Sequence, residues 1–361
     1  LGMCTKFSEV TLALHFREKN KDGDYVGGPM YYIKNGLKKN WHWLAYLFSS
    51  FGVLTVFGTG NATQVNTITT AIDTALINFN VISESSTGRL NLILGIVITL
   101  LVGMVLLGGI KRIGSVSEKL VPFMALFYIV LALGVVILNI GRVPAVFHDI
   151  VYGAFNPSAV TGGVVGTMIV SMQKGVARGI FSNEAGLGSA PIAAAAAQTK
   201  EPVRQGLVSM TGTFIDTIVI CTMTGLSIVL TGAWQVEGLE GVQVTTYAFQ
   251  HGLPIPGQVS AFVLMICLVF FAFTTILGWD YYSERCLEYL TNGHKKTILT
   301  YRWLYILAVF IGPYMTVSAV WTIADIFNGL MAIPNMIALF ALSGVIVKET
   351  KTFFAAEKHK M

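Results

Sequence analysis

Long apolar runs constrain what this sequence can fold into more than any other feature. Most are about 20 residues or longer, the length that an α-helix needs to cross the hydrocarbon core of a bilayer. The runs lie at about 42–78, 89–110, 119–140, 160–198, 207–233, 258–291, 297–322 and 324–347. We therefore expect an all-α polytopic membrane protein, embedded in the lipid bilayer as a single domain over residues 1–361.

The composition agrees with a surface that faces lipid. The 361 residues are 54% hydrophobic and 12% charged, with a mean hydropathy of +0.66, whereas a soluble domain usually has about 25% charged residues. The net charge of +5 does not indicate a nucleic-acid partner, because the basic residues lie in short loops between apolar runs. The cysteines have no metal-ligand spacing and are interpreted as small core hydrophobes; they are Cys4, Cys221, Cys267 and Cys286.

The positions of the basic residues predict the orientation of the helices. If the runs alternate across the membrane, only Arg89 and Arg142 fall on one side, and the other loop Lys and Arg residues fall on the opposite side. Short basic loops remain in the cytoplasm. The sequence therefore predicts a multi-pass protein of the plasma membrane, with a cytoplasmic loop at 17–40 and a cytoplasmic tail at 348–361.

The run at 160–198 is the one most typical of an interrupted helix. It is longer than one crossing and contains Gly175, Gly179, Gly186, Gly188 and Pro191. A break inside the membrane frees backbone amides and carbonyls. The amides attract anions such as a carboxylate, and the carbonyls attract cations. The alternative is a kink that packs closely on neighbouring helices, a common use of small residues in membrane proteins.

Two other runs carry clusters of polar side chains. Asn61 and Gln64 share one helix face, and the Gln64 amide either contacts a zwitterionic ligand or joins two helices. Thr275 and Trp279 also share a face, and the Thr274 and Thr275 hydroxyls are hard oxygen ligands of the kind that alkali cations accept. The alternative is that the threonines bond back to their own helix and that Trp279 lies at the membrane interface.

Ionisable side chains within the runs are further candidates, because they are costly in hydrocarbon. They are Glu184, Asp216, Asp280 and Asp325. We expect Asp280 to belong to an ion-pair cluster with Glu284 and Arg285, and Asp325 to cap a helix. Asp216 is the carboxylate in this set that is most open to a functional role.

Motifs of enzymatic catalysis are absent from the sequence. It contains no HExxH pair, no GxSxG turn, no P-loop and no paired Cys/His set. We therefore expect a protein that is not an enzyme and that has no cofactor. Without a P-loop for ATP, an ion gradient is the energy source that remains for transport.

Three motifs resemble the alanine/glycine:cation symporter family, also called amino acid carrier proteins. They are GGPMYYI at 27–33, GNATQVN at 60–66 and FSNEAGLGSAP at 181–191. The resemblance runs through the whole chain and implies a LeuT-like fold, with two inverted repeats of five helices. It also implies that residues 1–16 are the end of the second core helix and that the first core helix is absent.

The resemblance further implies sodium-coupled uptake of a small neutral amino acid, alanine or glycine. The implied contacts to the amino acid are Gln64, Phe181, Thr275 and Trp279, and the implied Na⁺ ligands are Thr274, Thr275 and the Phe271 carbonyl. The bulk of Phe181 and Trp279 predicts a substrate with a small side chain. The alternatives are a membrane sensor that binds an amino acid without transporting it and a carrier that is coupled to protons.

Overall fold

The computed structural model describes residues 1–155 and 164–358, and these residues are mainly helical. Six of the described helical segments are long and apolar enough to cross a membrane. They are Lys39–Asn78, Thr87–Leu106, Arg112–Leu138, Pro202–Thr231, Gly257–Thr291 and Val317–Ala341. The expectation of an all-α polytopic membrane protein is confirmed.

The first 40 residues contain more structure than the sequence predicts. Helix α1 (Gly2–His15) is followed by two short antiparallel strands, β1 (Glu18–Lys19) and β2 (Tyr25–Val26), and by α2 (Pro29–Gly36). Proline suits the first turn of α2, because the amides of that turn have no partner within the helix. The segment 17–40, predicted as a loop, is therefore a hairpin and a short helix.

The remaining elements are helices of very unequal length. The first half contains α3 (Trp43–Thr55), α4 (Thr63–Asn78), α5 (Thr87–Leu106), α6 (Gly109–Leu138) and α7 (Val143–Phe155). The second half contains α8 (Val164–Asn183), α9 (Ala190–Ala194), α10 (Pro202–Phe214), α11 (Cys221–Thr231), α12 (Val242–Gly252), α13 (Gly257–Thr291), α14 (Lys295–Val309), α15 (Val317–Ala341) and α16 (Ser343–Lys358). Wide π-helical turns at Val56–Ala62 and Ile215–Ile220 join α3 to α4 and α10 to α11.

The structure differs from the predicted boundaries in several places. Helix α14 ends at Val309 rather than near 322, because Gly312 and Pro313 form a short 3₁₀ turn where the helix cannot continue. The predicted tail at 348–361 is helical as far as Lys358. The sequence analysis also missed α7 and α12. Residues 160–163 of the predicted broken run and 359–361 of the predicted tail lie outside the described residues.

Helix α13 is the central element of the molecule. It packs against α3, α4, α6 and α12, while α15 packs on α3 and α1 packs on α10. The outer faces of α5 and α6 are apolar and exposed, with Leu100 and Leu126 among their side chains. Such faces fit hydrocarbon, and the backbone groups behind them are paired within their helices.

The four cysteines do not share one environment. Cys267 and Cys286 are buried, as expected for small core hydrophobes, whereas Cys4 and Cys221 are exposed. The prediction of a core role is therefore correct for two of them only.

Candidate functional site

Helices α8 and α9 are separated by a non-helical break at residues 184–189. The backbone φ angles of Glu184, Gly186 and Gly188 are +55°, +93° and +81°. This left-handed region carries no steric penalty for glycine, so the presence of glycine at 186 and 188 fits the backbone conformation there. The described part of the run at 160–198 is thus interrupted at the motif that the sequence analysis selected.

A buried carboxylate from α1 pairs with the amides of the break. Glu9 Oε1 accepts hydrogen bonds from the backbone N–H groups of Gly186 at 3.1 Å and Gly188 at 3.0 Å. It also accepts one from Asn335 Nδ2 at 2.6 Å. The sequence analysis missed both side chains. A lone carboxylate beside the largely apolar residues 10–14 was the available signal for Glu9, and the sequence does not indicate that Asn335 faces it.

Trp279 connects the three segments that the sequence analysis selected. Its side chain lies in α13 and is buried. A Cβ placed on Gly60 would overlap Trp279, so the wide turn between α3 and α4 packs directly on this side chain. The Glu184 carboxylate lies close to the indole and accepts a hydrogen bond from Ser189 Oγ at 2.8 Å. The break, the wide turn and α13 therefore meet at Trp279.

Gln64 and Asn61 bond to different partners. Gln64 Nε2 donates to the Thr59 carbonyl, five residues earlier, at 3.1 Å, across the wide turn. Asn61 Nδ2 donates to the Tyr305 carbonyl of α14 at 3.1 Å, so Asn61 joins two helices. Gln64 is half-buried, and its contact with substrate stays a prediction.

Thr274 and Thr275 bond back to their own helix, as the structural alternative expects. Thr275 Oγ1 donates to the Phe271 carbonyl at 2.8 Å, and Thr274 Oγ1 lies 3.0 Å from the Phe270 and Phe271 carbonyls. Because α13 is continuous here, the Phe271 carbonyl is not freed by a helix break. Each hydroxyl oxygen keeps lone pairs that can bind a cation, and the Na⁺ role of these three residues stays a prediction.

Phe181 packs on α15. Its ring centroid lies 4.7 Å from that of Trp321, and the Arg178 guanidinium lies 4.1 Å from the same Trp321 ring. Arg178 also forms an ion pair with Asp325 at 2.7 Å. The prediction that Asp325 caps a helix is wrong, because α15 begins at Val317 and Asp325 lies inside it. These contacts join α8 to α15, and the substrate contact of Phe181 stays a prediction.

The predicted ion-pair cluster around Asp280 has different partners from those expected. Glu284 pairs with Arg302 of α14, whose Nη2 lies 2.7 Å from Oε2, while Arg285 pairs with Glu288 at 2.6 Å. Asp280 is buried in the same region. Its neighbourhood therefore joins α13 to α14.

A polar cavity of about 370 Å³ lies beside the break, between α1, α8 and α10. Its charged lining side chains are Lys6, Glu184 and Asp216. Asp216 accepts a hydrogen bond from Ser182 Oγ, which lies 2.8 and 3.0 Å from its two oxygens. Opposite charges on the walls of one cavity suit a zwitterion. The structure thus places Asp216 next to the break, to which Glu184 itself belongs.

The chain matches the sodium:alanine symporter family over residues 1–361. It is 51% identical to an uncharacterized transporter of Haemophilus influenzae over 356 residues, which cover 98% of this chain and 74% of that protein. It is 45% identical to the sodium/alanine symporter AgcS of Methanococcus maripaludis over 364 residues, with coverages of 99% and 76%. It is 37% identical to the probable sodium/glutamine symporter GlnT of Bacillus subtilis over 363 residues, with coverages of 99% and 70%. The chain therefore belongs to the sodium:alanine symporter family, a family of transporters rather than enzymes.

Proposed function

We propose that this cation-coupled amino acid symporter takes up a small neutral amino acid, alanine or glycine, together with Na⁺. It works by alternating access around a site near the middle of the membrane, in a LeuT-like helical core. The family and the names of its relatives support sodium coupling. One relative is named for alanine and another for glutamine, so the family alone does not select the side chain.

The observation that carries the proposal is the break at 184–189, packed against Trp279 beside a cavity with charges of both signs. The last turn of α8 leaves carbonyl groups at the break, and these can accept the ammonium group of an amino acid or a cation. The Lys6 ammonium on the cavity wall complements a carboxylate. A zwitterion of small volume satisfies both requirements.

The size of the proposed substrate rests on two aromatic side chains. Trp279 is buried against the wide turn, and the Phe181 ring is held by Trp321. Both flank the break, and closely packed aromatic rings have little freedom to move aside. Alanine and glycine fit this environment better than amino acids with long side chains.

The test is uptake of radiolabelled alanine into proteoliposomes that contain the purified protein. With an inward Na⁺ gradient, we expect accumulation above equilibrium, and with K⁺ in place of Na⁺ we expect none. Accumulation driven by an inward proton gradient alone would replace Na⁺ coupling by H⁺ coupling. Saturable alanine binding without accumulation would indicate a sensor. Competition by unlabelled glycine, alanine and glutamine ranks the substrates.

A further inference from the structure

Glu9 is a buried carboxylate that the predicted substrate and sodium sites do not use. Its side chain is fully buried in α1. Its Oε1 accepts three hydrogen bonds, two of them from amides of the break. Its Oε2 has no hydrogen-bond partner in the part of the chain that the structure describes. Such a group is expensive in a membrane protein and calls for a function.

The partner side chains of Glu9 extend the network to two further helices. Asn335 of α15 donates from Nδ2 to Glu9 and to the Gly186 carbonyl, the latter at 2.9 Å. The Tyr32 hydroxyl of α2 donates to Asn335 Oδ1. Asn335 and Tyr32 are also fully buried. One chain of hydrogen bonds therefore joins the break to α1, α15 and α2.

The packing of α2 supports the same arrangement independently. A Cβ placed on Gly28 would lie 2.7 Å from Ile192 Cγ1, and one on Gly188 would lie 2.5 Å from Pro29 Cγ. The start of α2 is thus in close contact with both the break and α9. This contact fixes α2 where Tyr32 reaches Asn335, which gives the motif at 27–33 a structural role.

Without an acceptor, the buried amides of Gly186 and Gly188 would be left unpaired, which is costly inside a membrane protein. The break could then lower its free energy by moving toward regular helix or toward other acceptors. The Oε1 atom of Glu9 accepts hydrogen bonds from two backbone amides and one side-chain amide at once. Glu9 therefore restricts the break to one backbone conformation.

We infer that Glu9 is a positioning residue that holds the break in the conformation that binds substrate, and that Asn335 and Tyr32 orient Glu9. This inference rests on the proposed function, because it takes the break to be part of the transport site. Glu9 acts through the backbone of the break and does not touch the amino acid. Lys6 lies one turn earlier on α1 and is also buried.

The test compares Glu9→Gln, Glu9→Ala and Tyr32→Phe with the wild-type protein in lipid nanodiscs. Hydrogen exchange followed by mass spectrometry reports on the amides of peptides that cover 184–189. We expect exchange there to be about tenfold faster in Glu9→Ala, with smaller increases in Glu9→Gln and Tyr32→Phe. Exchange in α5, which is remote from the network, should not change. Glu18→Gln is the matched control, because the Glu18 carboxylate of the hairpin pairs with Lys34 and not with the break, and it should leave the break unchanged.

The second measurement is alanine uptake by the same variants. A positioning role predicts a KM raised about tenfold in Glu9→Ala and less in Glu9→Gln, with a smaller change in maximal rate. Unchanged exchange at the break in all three variants would overturn the inference, as would faster exchange with an unchanged KM. If Glu9→Ala does not fold, Glu9→Gln and Tyr32→Phe still decide the question. If the wild-type protein does not transport alanine, the proposed function fails, while the exchange data still show whether Glu9 holds the break.

Discussion

Trp279 is the residue at which the three candidate segments meet, and its removal is the sharpest test of where the substrate lies. Trp279→Ala leaves a space between the wide turn and the break, next to Gly60 and Glu184. Truncation of a buried aromatic anchor usually costs about 2 kcal/mol or more in binding. We therefore expect the alanine KM to rise at least about tenfold, and leucine to inhibit alanine uptake in the variant only.

The control for this prediction is Trp234→Ala, since the Trp234 side chain is exposed and remote from the break. It should leave uptake and inhibition by leucine unchanged. If Trp279→Ala also transports alanine with unchanged KM and selectivity, Trp279 does not line the site.

The ion pair between Glu284 and Arg302 leads to a prediction about the stability of the protein. Glu284 is buried, and Glu284→Gln leaves the Arg302 guanidinium without its charged partner at 2.7 Å. Breaking a buried pair in this way costs about 3–5 kcal/mol, whereas an exposed pair contributes about 0–1 kcal/mol. Thermal unfolding in detergent should therefore show a much lower Tm for Glu284→Gln than for Glu18→Gln, which breaks the exposed pair with Lys34. Similar Tm values would contradict the argument.

Residue spacing identified candidate side chains better than it identified their partners. Glu184 and Trp279 lie close together in the structure. Glu184 was a candidate because it is ionisable and lies in an apolar run, and Trp279 because it shares a helix face with Thr275. Asp325 was assigned to a helix cap and instead pairs with Arg178 of α8. Pairing between side chains of different helices depends on which helices are neighbours in the fold. A periodic pattern along one helix contains no information about its neighbours.

At the scale of elements, the break depends on Gly188. Its φ of +81° costs a residue with a side chain about 1–2 kcal/mol, and a Cβ there would lie 2.5 Å from Pro29 Cγ. We expect Gly188→Ala to lower both the Tm and the rate of alanine uptake. Gly225→Ala in α11 is the control, because a Cβ at that position meets no atom within 4 Å. Wild-type stability and uptake in Gly188→Ala would show that the break tolerates a side chain.

The break was predictable because glycine and proline act on the backbone locally. The wide turns at Val56–Ala62 and Ile215–Ile220 were not, since no residue type requires them and neighbouring helices determine where they form. Gly312 and Pro313 gave a local signal for the boundary between α14 and α15. Because apolar residues continue on both sides of them, the predicted boundary was placed too far toward the C-terminus. Helices α7 and α12 are too short to give the length signal of a membrane span.

At the scale of the whole molecule, the segments predicted on one side of the membrane lie in contact. Lys295 Nζ at the start of α14 is 2.7 Å from Asp22 Oδ1 in the hairpin. Arg204 at the start of α10 is 3.4 Å from Glu357 near the end of α16. The distribution of Lys and Arg residues along the sequence predicted that these four segments lie on one side of the membrane, without any knowledge of their packing. Each contact places its two segments at the same end of their helices. Arg17, just before β1, donates to the Ala197 carbonyl just before α10 at 2.8 Å and so joins the two pairs.

The orientation of that end is the last prediction. The basic loops indicate that it is cytoplasmic, while the connection at 234–257, which contains no Lys or Arg, belongs to the opposite end. Residues Pro202–Thr231 separate the two ends by about 45 Å at 1.5 Å per residue, enough to cross a bilayer. A green fluorescent protein fused after Lys358 should fluoresce in a bacterial host, and alkaline phosphatase fused there should be inactive. Fusions after Gly238 should give the reverse pattern. If the two sites exchange their behaviour, the basic residues do not set the orientation of this chain.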